Sequence, residues 1–247
     1  MRRLLFFALL ALCGATAHAA DVSVAVASNF TVPMQEIAAA FERDTGHRAV
    51  LASGSTGRFY AQVKNGAPFQ VLLAADEATP ARLEHEGAAV TGTRFTYATG
   101  RLVLWSATPG VVDDRGEVLR RPGGGRIAIA DPKLAPYGSA ALQALRNLGV
   151  ADTLAPRLVQ GENIGQAYQF ASTGNAQLGF VALSQVMVDG RISRGSWWIV
   201  PADLHAPIRQ DAVLLTPGKD APAARAFLAY LRGDTARAIV RAHGYEP

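Results

Sequence analysis

Four short stretches of this sequence concentrate one kind of chemistry. In each, hydroxyl, amide and glycine residues stand where an apolar run gives way to a helical pattern. They are Ala27-Ser28-Asn29-Phe30, Ser53-Gly54-Ser55-Thr56-Gly57, Ala135-Pro136-Tyr137-Gly138-Ser139 and Gly161-Glu162-Asn163-Ile164-Gly165-Gln166. A helix N-terminus offers unpaired N–H groups and a partial positive charge, so such junctions suit an anion. Ser, Thr, Asn and Tyr side chains add neutral donors. Gly54, Gly57, Gly138 and Gly165 would let backbone amides approach a ligand closely. The same residue types are also ordinary helix caps, and Asn163 with Gln166 is a capping box in form. One junction alone therefore carries no function, whereas four in one chain point to a site.

Other chemistry is not signalled. The sequence has no G-x-S-x-G, Walker A, G-x-G-x-x-G or H-E-x-x-H pattern. His47, His85, His205 and His243 are scattered without metal-ligand spacing. Asp76-Glu77 reads as a helix start rather than a catalytic pair, and Tyr97, Trp105, Trp197 and Trp198 read as core or lobe-interface residues. Nothing marks an enzyme or a cofactor.

The elements that must position the junctions alternate in the α/β manner. Strands are expected near 22–27, 49–52, 71–75, 101–105, 127–130, 158–159, 178–183, 197–200 and 212–215. Helices are expected after 30, stopping at Gly46, from 56 to Asn65-Gly66, after Asp76, over 140–148, and from 164, with two more closing the chain. In open α/β sheets ligands bind beyond the carboxyl ends of strands, where the four junctions lie.

The chain has 247 residues, 49% hydrophobic and 18% charged, which excludes a disordered chain. Its single Cys excludes a disulfide scaffold and a Cys-rich metal site. Arg2 and Arg3, the apolar run 4–12 and Ala17-His18-Ala19 form an export signal over 1–20, cleaved after Ala19 or Ala20. Cys13 raises a lipoprotein alternative, disfavoured by the bulky Leu12 before it. Losing Arg2 and Arg3 brings the formal charge from +4 to +2, too weak for a nucleic-acid partner.

The chain resembles the periplasmic molybdate-binding proteins of ABC importers over essentially its whole mature length. The motifs are Val26-Ala27-Ser28-Asn29-Phe30, Gly54-Ser55-Thr56-Gly57, Ala74-Ala75-Asp76, Arg94-Phe95-Thr96-Tyr97, Ala135-Pro136-Tyr137-Gly138, Asn163-Ile164-Gly165-Gln166-Ala167, Leu178-Gly179-Phe180-Val181-Ala182 and His243-Gly244-Tyr245. The resemblance implies a bilobal periplasmic binding protein type II fold, two α/β lobes joined by two crossover segments. The expected lobes are 21–99 with 205–247, and 100–204. It implies molybdate or tungstate in the interlobe cleft, held by hydrogen bonds alone from Ser28, Asn29, Thr56, Tyr137 and the N–H of Ile164, with Ser55, Gly57 and Asn163 in support. Many relatives carry a Tyr where this chain has Ala182, and Tyr137 would replace that donor. The implied protein is a monomer that delivers its oxyanion to a membrane permease; the alternative ligand is another oxyanion, sulfate or phosphate.

Overall fold

Apolar strands and amphipathic helices of the expected order fold into two α/β lobes. The computed structural model describes residues 19–188 and 190–247. The export-signal features at Arg2, Arg3, 4–12, Cys13, Ala17 and His18 lie outside the described residues.

The chain opens with β1 (Asp21–Ala27), a 3-10 turn (Ser28–Phe30), α1 (Thr31–Thr45), β2 (Arg48–Gly54), α2 (Thr56–Lys64), β3 (Val71–Leu73), α3 (Ala78–His85) and β4 (Phe95–Gly100). It continues with β5 (Leu102–Ser106), β6 (Ile127–Ala130), α4 (Pro136–Asn147), α5 (Ala151–Leu154), β7 (Leu158–Gly161), α6 (Ile164–Ser172), β8 (Leu178–Ala182) and α7 (Leu183–Val186). A small hairpin, β9 (Met187–Val188) and β10 (Arg191–Ile192), precedes β11 (Ser196–Ile199), β12 (Ile208–Leu214), α8 (Pro222–Tyr230) and α9 (Asp234–Ala242).

Two five-stranded sheets result, ordered β2-β1-β3-β12-β4 and β11-β5-β8-β6-β7. Only Arg101 separates β4 in the first sheet from β5 in the second, and residues 200–207 lead back from β11 to β12. The interior strand β1 is apolar except at Asp21 and Ser23 because helices cover both faces of its sheet. On one face Phe30, Met34, Ile37 and Phe41 pack with Phe227; on the other Phe59, Leu72, Leu83 and Val213 do so. Met34, Ile37 and Phe41 recur at helical spacing along α1, and Gly46, at φ 76°, ends that helix by donating its N–H to Glu42 O. The second sheet is built likewise around Leu104, Ile127, Ile129, Leu145 and Phe180.

Strand register decides where the four junctions go. Ala27 pairs with Gly54 at the carboxyl ends of β1 and β2. Ala130 pairs with Gly161 at the carboxyl ends of β6 and β7. Each lobe thus delivers two junctions side by side. The structure departs from expectation in β4, a strand that the sequence pattern did not suggest, and in Trp197, which is 39% exposed rather than core. Trp197 lies on edge strand β11, where its neighbour Trp198 takes the inward side. Among the described residues no helix is long and apolar enough to cross a membrane.

Candidate functional site

The four junctions meet between the lobes around one small cavity. It is lined by Ser28 and Asn29 from the first, Gly54, Ser55 and Thr56 from the second, Pro136 and Tyr137 from the third, and Asn163 and Ile164 from the fourth. With the lobes as they stand the enclosed space has room for about one water molecule, too little for an amino acid or a sugar. Among the described residues no charged side chain lines it. A larger groove of about 360 Å³ lies alongside, but its charges are mixed: Asp76 and Glu77 face Lys133 and Arg209.

Ser55 is the most informative residue. It is buried at the N-cap position of α2, yet its hydroxyl makes no cap bond. Among the described residues Ser55 Oγ has no hydrogen-bond partner. A buried, unpartnered hydroxyl costs roughly 1–3 kcal/mol, so an atom left this way beside a cavity has a donor to offer there.

The other residues divide by what they have left to give. Ser28 Oγ accepts the Gly165 N–H at 3.3 Å, which leaves its own hydrogen available. Thr56 Oγ1 accepts the Ala75 N–H at 2.9 Å and likewise keeps its hydrogen. Ile164 is the first residue of α6, so its N–H has no carbonyl within the helix. Asn163 caps that helix, accepting from Gln166 N at 3.0 Å, while Gln166 Oε1 accepts from Glu162 N at 2.7 Å. Asn163 is therefore a structural support.

Asn29 differs from the expectation that its side chain presents a donor to the cleft. Its amide donates to Gln210 Oε1 at 2.8 Å and to Tyr245 Oη at 2.9 Å. Both amide hydrogens are committed behind the cavity, and only its backbone can face a ligand. The glycines also differ. Gly57 donates its N–H to Leu134 O of the other lobe at 2.9 Å, and a Cβ there would lie 3.0 Å from Leu134 Cα. A Cβ on Gly138 would meet Ala130 O at 2.2 Å, and one on Gly54 would meet the Phe59 ring at 3.1 Å. These glycines serve close packing of strand, helix and lobe; Gly165 spends its N–H on Ser28.

Tyr137 is fully buried and its Oη accepts from Gln210 Nε2 at 3.3 Å. Burial pushes the Tyr137 and Tyr97 phenols well above their ordinary value. Burial also raises Tyr245, held to about 12 by its hydrogen bonds. All three stay neutral hydroxyls across the physiological range. Asp76, whose carboxylate accepts from Thr79 N at 2.7 Å at the start of α3, is raised first of all by burial. The N-cap position of that helix falls to Glu77 rather than Asp76, whose carboxylate serves the first turn from one residue earlier.

The lobes touch across the cleft. Besides the Gly57 and Gly165 bonds, Ser184 Oγ donates to Asn29 O at 2.9 Å, and Arg58 pairs with Glu162 on the rim. Gln210, Ser184 and Tyr245 were not singled out by sequence reasoning as site residues. Tyr245 stands in the His243-Gly244-Tyr245 motif, and Gln210 lies between Arg209 and Asp211 in a strand that is apolar only after them.

Residues 22–246 match the family of bacterial extracellular solute-binding proteins. The chain is 57% identical over 234 residues to the molybdate-binding protein ModA of Azotobacter vinelandii, covering 95% of this chain and 93% of that one. It is 52% identical over 229 residues to the ModA of Rhodobacter capsulatus, covering 93% and 89%. A solved structure of an Azotobacter vinelandii periplasmic molybdate-binding protein superposes with a TM-score of 0.89 at 43% identity, covering 92% of this chain and 99% of that one.

Proposed function

This chain belongs to the bacterial extracellular solute-binding proteins and, among them, to the molybdate-binding proteins; from that membership we propose how its site works. It is a periplasmic molybdate-binding protein that serves an ABC importer, and molybdate is its transported ligand, not a cofactor. Identity to the molybdate-binding relatives favours molybdate over sulfate or phosphate.

In our reading the oxyanion sits in the small cavity where the four junctions meet. Ser55 Oγ donates to it from the first lobe, together with Ser28 Oγ, Thr56 Oγ1 and the backbone of Asn29. Ile164 N–H and the neighbourhood of Tyr137 complete the cage from the second lobe. The observation that carries this reading is the buried Ser55 hydroxyl with no partner. An acceptor-only dianion would satisfy it, and a hydrogen bond to a charged acceptor is stronger than a neutral one. Neutral donors and the α6 N-terminus can hold a dianion without a cation, because no carboxylate lines the wall to repel it.

Four further elements belong to the proposal. The lobes comprise 21–99 with 205–247 and 100–204, supported by the division of the strands between two sheets. The first twenty residues direct export. Tungstate, with the shape and charge of molybdate, is accepted as well, and the protein acts as a monomer.

A thermal titration of the protein lacking residues 1–20 tests the function. Molybdate at about a hundred times its dissociation constant is expected to add roughly 2.7 kcal/mol of stability. Sulfate at the same concentration is expected to add far less, in line with the identity to molybdate-binding relatives. An equal shift with sulfate would overturn the preference for molybdate.

A further inference from the structure

Behind the cavity lies a buried cluster of neutral polar side chains that the binding reading leaves without a role. Tyr245, third from the chain end, donates from its Oη to Asn29 O at 2.8 Å and accepts from Asn29 Nδ2 at 2.9 Å. Ser184, on α7 in the other lobe, lies 2.8 Å from Tyr245 Oη and donates to the same Asn29 carbonyl. Gln210 Oε1 accepts from Asn29 Nδ2 and from Tyr97 Oη at 3.0 Å, and Gln210 Nε2 donates to Tyr137 Oη. Every one of these side chains is buried.

We propose that Tyr245, Gln210 and Ser184 are positioning residues for the anion: a hydrogen-bonded hub that fixes the Ser28–Phe30 turn of one lobe against Tyr137 and α7 of the other. This rests on the reading that molybdate binds where the four junctions meet. The hub never touches the ligand. It sets the separation of the two lobes' donors, and through it the balance between open and closed cleft.

Three observations support a positioning role over plain core packing. A buried polar network is no more stabilising than apolar residues of equal volume, but its bonds are directional and set distances that apolar contacts leave loose. The bonds run between lobes: Ser184 on α7 to Asn29 in the 3-10 turn, and Gln210 on β12 to Tyr137 on α4. They also converge at the crossover itself. A Cβ on Gly100 would come within 2.0 Å of Tyr137 Oη and 2.6 Å of Gln210 Nε2, so the backbone at that crossing is moulded to the hub. Glu246, next to Tyr245, pairs with Thr99 just before it. The chain end is thereby strapped to the first crossover.

The test uses Tyr245→Phe and Ser184→Ala in the otherwise intact protein, singly and together. Molybdate dissociation constants, dissociation rates from stopped-flow fluorescence and ligand-free melting temperatures are measured on each. Each single variant is expected to weaken molybdate binding by about tenfold or more, mostly through faster dissociation. The double variant is expected to lose less than the product of the two, because the hydroxyls share Asn29 O. If either variant folds and binds molybdate within twofold of the wild type, however far its melting temperature falls, the hub is only core and the inference fails. Ser184→Ala removes one hydroxyl from a short helix and keeps the test open should Tyr245→Phe not fold. A wild type that binds no molybdate overturns the functional reading and this inference with it; a wild type that binds alongside unaffected variants overturns this inference alone.

Discussion

Ser55 shows how much a single atom can decide. Removing a hydroxyl that has no partner should not weaken the ligand-free protein, since no bond is lost and a buried polar group is relieved. Ser55→Ala is therefore expected to hold or raise the ligand-free melting temperature. It should weaken molybdate binding by roughly 10- to 150-fold, the value of a hydrogen bond to a charged group. Calorimetry and thermal unfolding on the same sample check both halves, and a variant that loses stability while keeping affinity would place Ser55 in the core instead. At this scale the sequence was legible in residue type but not in direction. Ser28, Asn29, Ser55 and Ile164 stand out because cap-forming and donor residues cluster at strand ends. Which way Asn29 turns depends on Gln210, 181 positions away, and on Tyr245, 216 away, and no local pattern encodes that. The freedom of Ser55 was equally hidden, because a Ser at an N-cap position normally bonds the helix it precedes.

Among the elements, those with strong periodicity were readable. The run 127–130 is β6, and the 3.6-residue pattern after Phe30 is α1. β4 escaped because Thr96, Ala98, Thr99 and Gly100 give it no apolar run; it is a strand because β12 pairs with it at one edge. Helix α4 begins at Pro136, ahead of its apolar stripe, since proline suits the first helical position. Gly57 on α2 gives the sharpest test at this level. Alanine is the better helix former by about 0.5–1 kcal/mol, so Gly57→Ala should slightly stabilise the ligand-free protein. The same methyl would press on the Leu134 backbone of the opposite lobe and resist the close approach of the lobes. Affinity for molybdate should then fall although no donor has been removed, and small-angle scattering of the saturated variant should give a larger radius of gyration than saturated wild type. An unchanged affinity would mean that the Gly57–Leu134 contact is incidental to closure.

For the molecule as a whole, the interlobe bonds differ in weight. The Arg58–Glu162 pair is more than half exposed on both sides and contributes little beyond orientation, whereas the bonds around Asn29 are sealed from water. The division of strands between sheets has a kinetic corollary. β12 lies between β3 and β4, so the first sheet lacks an interior strand until residues 208–214 arrive. Bringing β12 to β4 across residues 101–207 by chance alone costs on the order of 4 kcal/mol in loop entropy. The second sheet removes most of that cost, since Val103 pairs directly with Ile199 and its folding brings both ends of the intervening chain together. The expected order of assembly is that the second sheet nucleates first and the first sheet is completed on it. Pulsed hydrogen exchange during refolding should find the amides of β5 and β8 protected before those of β3 and β12, and the reverse order would refute it. A chain interrupted between residues 205 and 244 would be caught with one finished half and one that has no middle, or no strap, to complete it.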